Sequence, residues 1–164
     1  MGPEEDFGRL SLETMGGNII LDVGSPAGTM YWSVFQYACA IGDVATVREC
    51  LKTTTGVVVS DPQHHRDGYQ SVHITARYGQ TEIMKLLLDH SFYVNAVDHH
   101  GFTPLHYATL FNHRAMVQLL VSHGASPDLQ STTGGISSID LAQEKHYMEI
   151  LAIFETVSKI GRWF

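Results

Sequence analysis

The sequence predicts an all-α solenoid: about four stacked helix-turn-helix units, with degenerate units capping both ends. Three observations carry this. Landmarks recur at a fixed spacing, since Gly68 and Gly101, His73 and His106, and Leu86-Leu87 and Leu119-Leu120 each lie 33 residues apart. Self-similarity at a period of this size marks stacked repeats. Residues that tolerate positive φ, namely Gly42, Gly79, Asn112 and His146, fall at intervals of 37, 33 and 34 residues, where each unit breaks between two helices. Apolar stripes with an i, i+1, i+3, i+4 pattern follow the last three breaks, as a buried helix face requires.

The most regular stretch is Asp98–Gln130, DHHGFTPLHYATLFNHRAMVQLLVSHGASPDLQ. Gly101 suits a tight turn. Thr103 is an N-cap and Pro104 takes the first helical position, where its missing N–H does no harm. That helix runs to about Phe111, and Asn112 breaks it. The next carries Met116, Val117, Leu119 and Leu120, and Gly124 ends it as a C′ glycine. TPLH followed by an apolar helix pair and HGA resembles the ankyrin repeat. The likeness is specific in Asp98–Gln130, good in His65–Val97 and weaker outside, covering about Met30 to Glu155.

The remaining units follow in order. Residues 1–30 are rich in glycine and polar groups and are expected to be a tail, flexible or packed on the first repeat, since termini fray unless tied down. Ile19–Val23 is its one candidate for extended structure. Residues 31–164 form the repeat domain, in units of about 31–64, 65–97, 98–130 and 131–164. In the first, Phe35, Ala38 and Cys39 face inward, Asp43 caps, and Val44, Val47, Cys50 and Leu51 reach the core. Arg48, Glu49 and Lys52 face out, as a terminal cap needs. The Thr53–His64 loop absorbs extra residues. The second unit replaces Thr-Pro by Gln70-Ser71 and Gly-Ala by Ser91-Phe92; loss of the C′ glycine costs on the order of 1 kcal/mol. In the fourth, Ser137 and Asp140 form a capping box. The terminal Trp163-Phe164 is expected to cover the open end.

Composition narrows the function. Net charge is −7, from 10 basic and 17 acidic residues, which argues against a nucleic-acid binder. No apolar run is long enough for a membrane span, and no signal peptide is recognisable. Two cysteines, Cys39 and Cys50, suit a reducing compartment, so the cytoplasm and nucleus are expected. There is no phosphate loop, serine elbow or kinase signature, and no enzyme is expected. The pairs His64-His65 and His99-His100 lie near neighbouring turn tips, but no HExxH or CxxC pattern supports a zinc site. No metal, cofactor or small-molecule substrate is expected.

The resemblance implies partner binding at turn tips and along the concave face of each first helix. By position this gives Trp32, Tyr69, Phe102 and Ile136 after the turn; Ile41, Arg77, Tyr78, Leu110, Phe111 and Lys145 at the ends of first helices; and Arg66, His99 and His100 at tips. Aromatic, apolar and arginine side chains in such a row suit an interface. The expected function is a protein-protein interaction module with an adaptor, inhibitor or substrate-recruiting role. The net charge favours a partner with basic residues beside hydrophobic ones. Alternatives are a regulatory or targeting domain of a larger enzyme, a histidine-based metal-responsive module, and a groove covered by Ile19–Val23. The resemblance also implies that His73 and His106 bond neighbouring backbone. It marks Asn95 as a possible hydroxylation site, against a bracing role in its loop.

Overall fold

In the computed structural model of the chain, residues 11–15, 18–23, 30–53 and 70–160 are described. Among the described residues eight α-helices stack as four antiparallel pairs: α1 (Val34–Ile41) with α2 (Val44–Thr53), α3 (Ser71–Arg77) with α4 (Thr81–Asp89), α5 (Pro104–Leu110) with α6 (Arg114–Ser122), and α7 (Ser138–Glu144) with α8 (Met148–Ile160). The first helices α1, α3, α5 and α7 pack side by side as an inner layer. The second helices α2, α4, α6 and α8 form the outer layer.

Each helix break has the backbone that the sequence predicts. Gly42, Gly79, Asn112 and His146 have φ of 82°, 69°, 57° and 58°. A single left-handed residue reverses the chain between two helices, and Asn and His accept it at a modest steric cost. Ser91, where the second unit lacks its glycine, also sits at φ 65°.

The core lies between the layers. Val47, Ile83, Met84, Leu87, Met116, Val117, Leu120 and Ile150 from the outer helices meet Cys39, Ile74, Leu105, Ala108 and Ala142 from the inner ones, all fully buried. The small alanines let neighbouring inner helices approach closely. Arg48, Glu49 and Lys52 are exposed, as a capping unit requires. Asp43 accepts the Thr46 N–H at 3.1 Å and caps α2. At α7, Ser137 Oγ accepts the Asp140 N–H at 3.2 Å while the Asp140 carboxylate accepts the Ser137 N–H at 2.8 Å.

Ahead of α1 stand three short strands, β1 (Ser11–Met15), β2 (Asn18–Val23) and β3 (Met30–Ser33), in one antiparallel sheet of order β1-β2-β3. The register pairs Leu12 with Leu21 and Ile20 with Ser33. The expected extended segment Ile19–Val23 is thus the middle strand. β2 and β3 lie beside α1. The Thr53–His64 loop beyond its first residue, Gly68 and Trp163-Phe164 lie outside the described residues.

Candidate interaction groove

The groove begins with two interlocks between successive units. Gln80, just before α4, donates from Nε2 to the Ala40 carbonyl at 3.1 Å. His113, just before α6, donates from Nε2 to the Arg77 carbonyl at 2.7 Å. Each satisfies a carbonyl in the last turn of the preceding inner helix, where intrahelical partners run out. These bonds hold the C-terminal ends of α1, α3 and α5 in register, so the residues there form a row.

Within that row Ile41 is 41% exposed, Leu110 36% and Phe111 41%. Arg77 and Lys145 are exposed and Tyr78 is half-buried. The Arg77 guanidinium lies 5.0 Å from the Phe111 ring centre and 5.9 Å from that of Tyr78, within reach of a cation–π attraction. His113 stacks on Phe111 at 6.4 Å and 22°. Arg77, Tyr78 and Phe111 are therefore one cluster across the second and third units. Lys145 instead lies 3.8 Å from Glu144.

The row after the turn divides. Phe102 is half-buried, its ring edge-on to His106 at 5.2 Å and tilted against Tyr107 at 5.9 Å. Much of its apolar surface is spent inside the repeat. Ile136 is also half-buried, and its carbonyl accepts from His106 Nε2 at 3.0 Å. Trp32 is in β3, with its backbone alone described; Arg66 and Tyr69 lie outside the described residues, as do His64 and His65. The tip side chains His99 and His100 are exposed. The His100 backbone is structural, since its carbonyl accepts the Thr132 N–H at 2.9 Å. Gly101 is needed here twice over: its φ is +76°, and an added Cβ would stand 2.5 Å from the Thr132 nitrogen.

His73 and His106 are fully buried linkers. His73 Nδ1 accepts the Gln70 N–H at 3.0 Å, and its Nε2–H donates to the Ala96 and Phe102 carbonyls at 3.0 and 3.1 Å. His106 Nδ1 accepts the Thr103 N–H at 3.0 Å, and its Nε2 reaches Ile136. An accepting Nδ1 with a donating Nε2 defines the neutral ring. Burial pushes both pKa values below the ordinary 6.5.

Asn95 braces two loops. Its Nδ2 donates to the Gly124 carbonyl at 3.2 Å and its Oδ1 accepts the Ser126 N–H at 3.0 Å. Among the described residues no group of three or more His, Cys, Asp or Glu side chains is placed to hold a metal ion. No described helix is long and apolar enough to cross a membrane.

Sequence reasoning missed the interlocks, although Gln80 and His113 stand 33 residues apart directly after a break residue. It also missed Asp98, which is buried: Oδ2 accepts the Tyr107 hydroxyl at 2.7 Å, and Oδ1 accepts the His100 and Phe102 N–H groups at 2.9 Å each. Exposed Tyr93, Val97, Leu129 and Met148 were also passed over.

The helix pairs, their left-handed breaks and the buried linking histidines define a repeat stack that presents an extended surface. Residues 35–131 match the family model for ankyrin repeats in three copies, and the chain belongs to the ankyrin-repeat family. Members of this family generally act as protein-interaction modules. The chain is similar to protein phosphatase 1 regulatory subunit 12A of Mus musculus, 31% identical over 101 residues, 62% of this chain and 9% of that protein. It is also similar to human BCL-6 corepressor-like protein 1, 32% identical over 104 residues, 62% of this chain and 6% of that protein. Human Rabankyrin-5 is 42% identical over 64 residues, 39% of this chain and 5% of that protein. The chain thus spans less than a tenth of the length of these relatives.

Proposed function

We propose that this chain binds a segment of a partner protein along the C-terminal ends of its inner helices, with the turn tips at His99 and His100 adding contacts. Exposure of Ile41, Leu110 and Phe111 beside the Arg77 guanidinium carries this reading. Such apolar groups leave water on binding, and a row of them is a contact site rather than a solvated surface. The role is that of an adaptor, inhibitor or substrate-recruiting module, acting by shape and apolar complementarity without bond chemistry of its own. Neither nucleic acid, a membrane nor a small-molecule substrate belongs to this reading. Cys39 and Cys50 as thiols outside any disulfide fit the cytoplasm or nucleus.

A second reading makes the stack a regulatory or targeting part of a larger enzyme. It is favoured by the likeness to a phosphatase regulatory subunit of which the match spans 9%. Asn95 is also a proposed hydroxylation acceptor, and its two bonds mean that the loop must open first. An added oxygen in the mass of the peptide containing Asn95 is the test.

Affinity capture from native extract, comparing wild type with a Leu110→Ser/Phe111→Ser variant of matched melting point, tests the main reading. A protein held by wild type and lost from the variant is the expected result. Identical retention by both would remove the groove from consideration. A catalytic subunit among the retained proteins would favour the second reading.

A further inference from the structure

The net charge of −7 points at long range to a basic partner, but the charges are not spread evenly. The outer helices carry ten charged residues, five acidic (Glu49, Glu82, Asp89, Glu149 and Glu155) and five basic (Arg48, Lys52, Lys85, Arg114 and Lys159), so their charges balance. The inner helices α1 and α5 carry no charged residue at all, and α3 carries Arg77 alone.

The carboxylates on the inner side are already engaged. Asp98 accepts three hydrogen bonds. Asp140 accepts from both the N–H and the hydroxyl of Ser137, and Glu144 lies beside Lys145. Among the described residues Arg77 has neither an ion pair with any carboxylate nor a hydrogen bond from its guanidinium. Its position is nevertheless fixed by the aromatic rings of Phe111 and Tyr78. A guanidinium held against a ring offers its N–H donors along its edge, and those donors match a carboxylate in a two-point contact. The apolar wall beside it, Leu110 and Phe111, strengthens that attraction by excluding water.

We infer that the segment held in this groove is acidic as well as apolar: it sets an aspartate or glutamate on the Arg77 guanidinium and an adjacent bulky apolar side chain on Leu110 and Phe111. This rests on the groove reading proposed above and adds the partner's chemistry. The local charge at the contact opposes the sign suggested by the whole chain, because a carboxylate in contact with Arg77 is closer to it than a screening length, whereas the acidic and basic residues of the outer helices balance.

The test is selection of a random peptide display library on the folded chain. The selected peptides are then synthesised and their binding measured by fluorescence polarisation against wild type, Arg77→Gln, Arg77→Glu and Phe111→Ser, each checked for folding by circular dichroism. The expected result is enrichment of Asp or Glu next to Leu, Phe or Trp. Binding should weaken roughly tenfold or more in Arg77→Gln, a change of the size that separates hot-spot contacts from neutral ones. It should fall with added salt in wild type and much less in Arg77→Gln, and selection on Arg77→Glu should favour Lys or Arg instead. Peptides that lose binding in Phe111→Ser but carry basic or uncharged neighbours would overturn the acidic assignment and leave the groove standing. Selection that yields no peptide sensitive to Phe111→Ser would overturn both.

Discussion

A side chain on Gly79 would collide with the ring of His113. An added Cβ would stand 2.8 Å from His113 Nδ1, and the glycine is at φ +69°. Gly42 meets Gln80 Oε1 in the same way, also at 2.8 Å, whereas Gly124, at φ +85°, has nothing within 4 Å. Gly79→Ala therefore strains the backbone and displaces the bond from His113 to Arg77, for a loss of about 2–3 kcal/mol. Gly124→Ala meets the backbone term alone, about 1 kcal/mol. Urea denaturation of the two variants measures the difference. Equal losses would mean that His113 moves aside freely.

The buried leucines of the outer layer should be the most costly to truncate. Leu87 and Leu120 are fully buried, and Leu→Ala at either site should lower stability by roughly 2–5 kcal/mol. An unchanged melting point at either would place that residue outside the core.

Acid should loosen the stack in a window that the two buried histidines define. Their pKa values are pushed below 6.5 in the folded chain. Below about pH 6.5 the unfolded chain takes up protons that the folded chain does not, so stability present above that pH is lost as pH falls towards the depressed folded values. The slope is at most about 1.4 kcal/mol per pH unit for each ring. Asp43 and Asp140 are also lowered, by bonds from Thr46 and Ser137 respectively, but from 3.8. Their contribution is present above that value and lost only in stronger acid. Urea midpoints between pH 7.5 and 5 should therefore fall, and a flat profile would contradict neutral, buried rings.

Phe111→Ala should separate binding from folding. With its ring 41% exposed and touching Arg77 and His113, its loss should cost under about 1 kcal/mol of stability. Partner retention in the capture experiment should fall sharply. Unfolding by this change would mark Phe111 as core.

Local demands on the backbone were legible in the sequence. The four break residues read correctly because positive φ admits few residue types, and the buried stripes read correctly because a helix imposes a 3.6-residue period. Contacts between units were legible only at His73 and His106, through the resemblance to the repeat family. Gln80 and His113 read as ordinary polar residues until the break glycine of the unit before, Gly42 or Gly79, is seen to make room for them. At the candidate site the ends of the inner helices could be named by position, but not their exposure. Phe102 stands in the same predicted set as Phe111, yet it turns onto His106 and Tyr107. The sheet was legible only at Ile19–Val23, because pairing with Ser11–Met15 and Met30–Ser33 is fixed by partners distant in sequence.

The interlocks also make the joints of the stack unequal. The second and third units are clasped at both ends of their inner helices, by His73 on the Phe102 carbonyl and by His113 on the Arg77 carbonyl. The third and fourth are clasped at the turn end, by His106 on the Ile136 carbonyl. At the other end Tyr147 stands where His113 would be and makes no such bond; the nearby Arg114–Glu149 pair, at 3.1 Å, is exposed to water and salt. The spacing of Arg77 and Phe111 is thus pinned by a side-chain bond on the groove side, whereas that of Phe111 and Lys145 rests there on the packing of α5 against α7 and of α6 against α8.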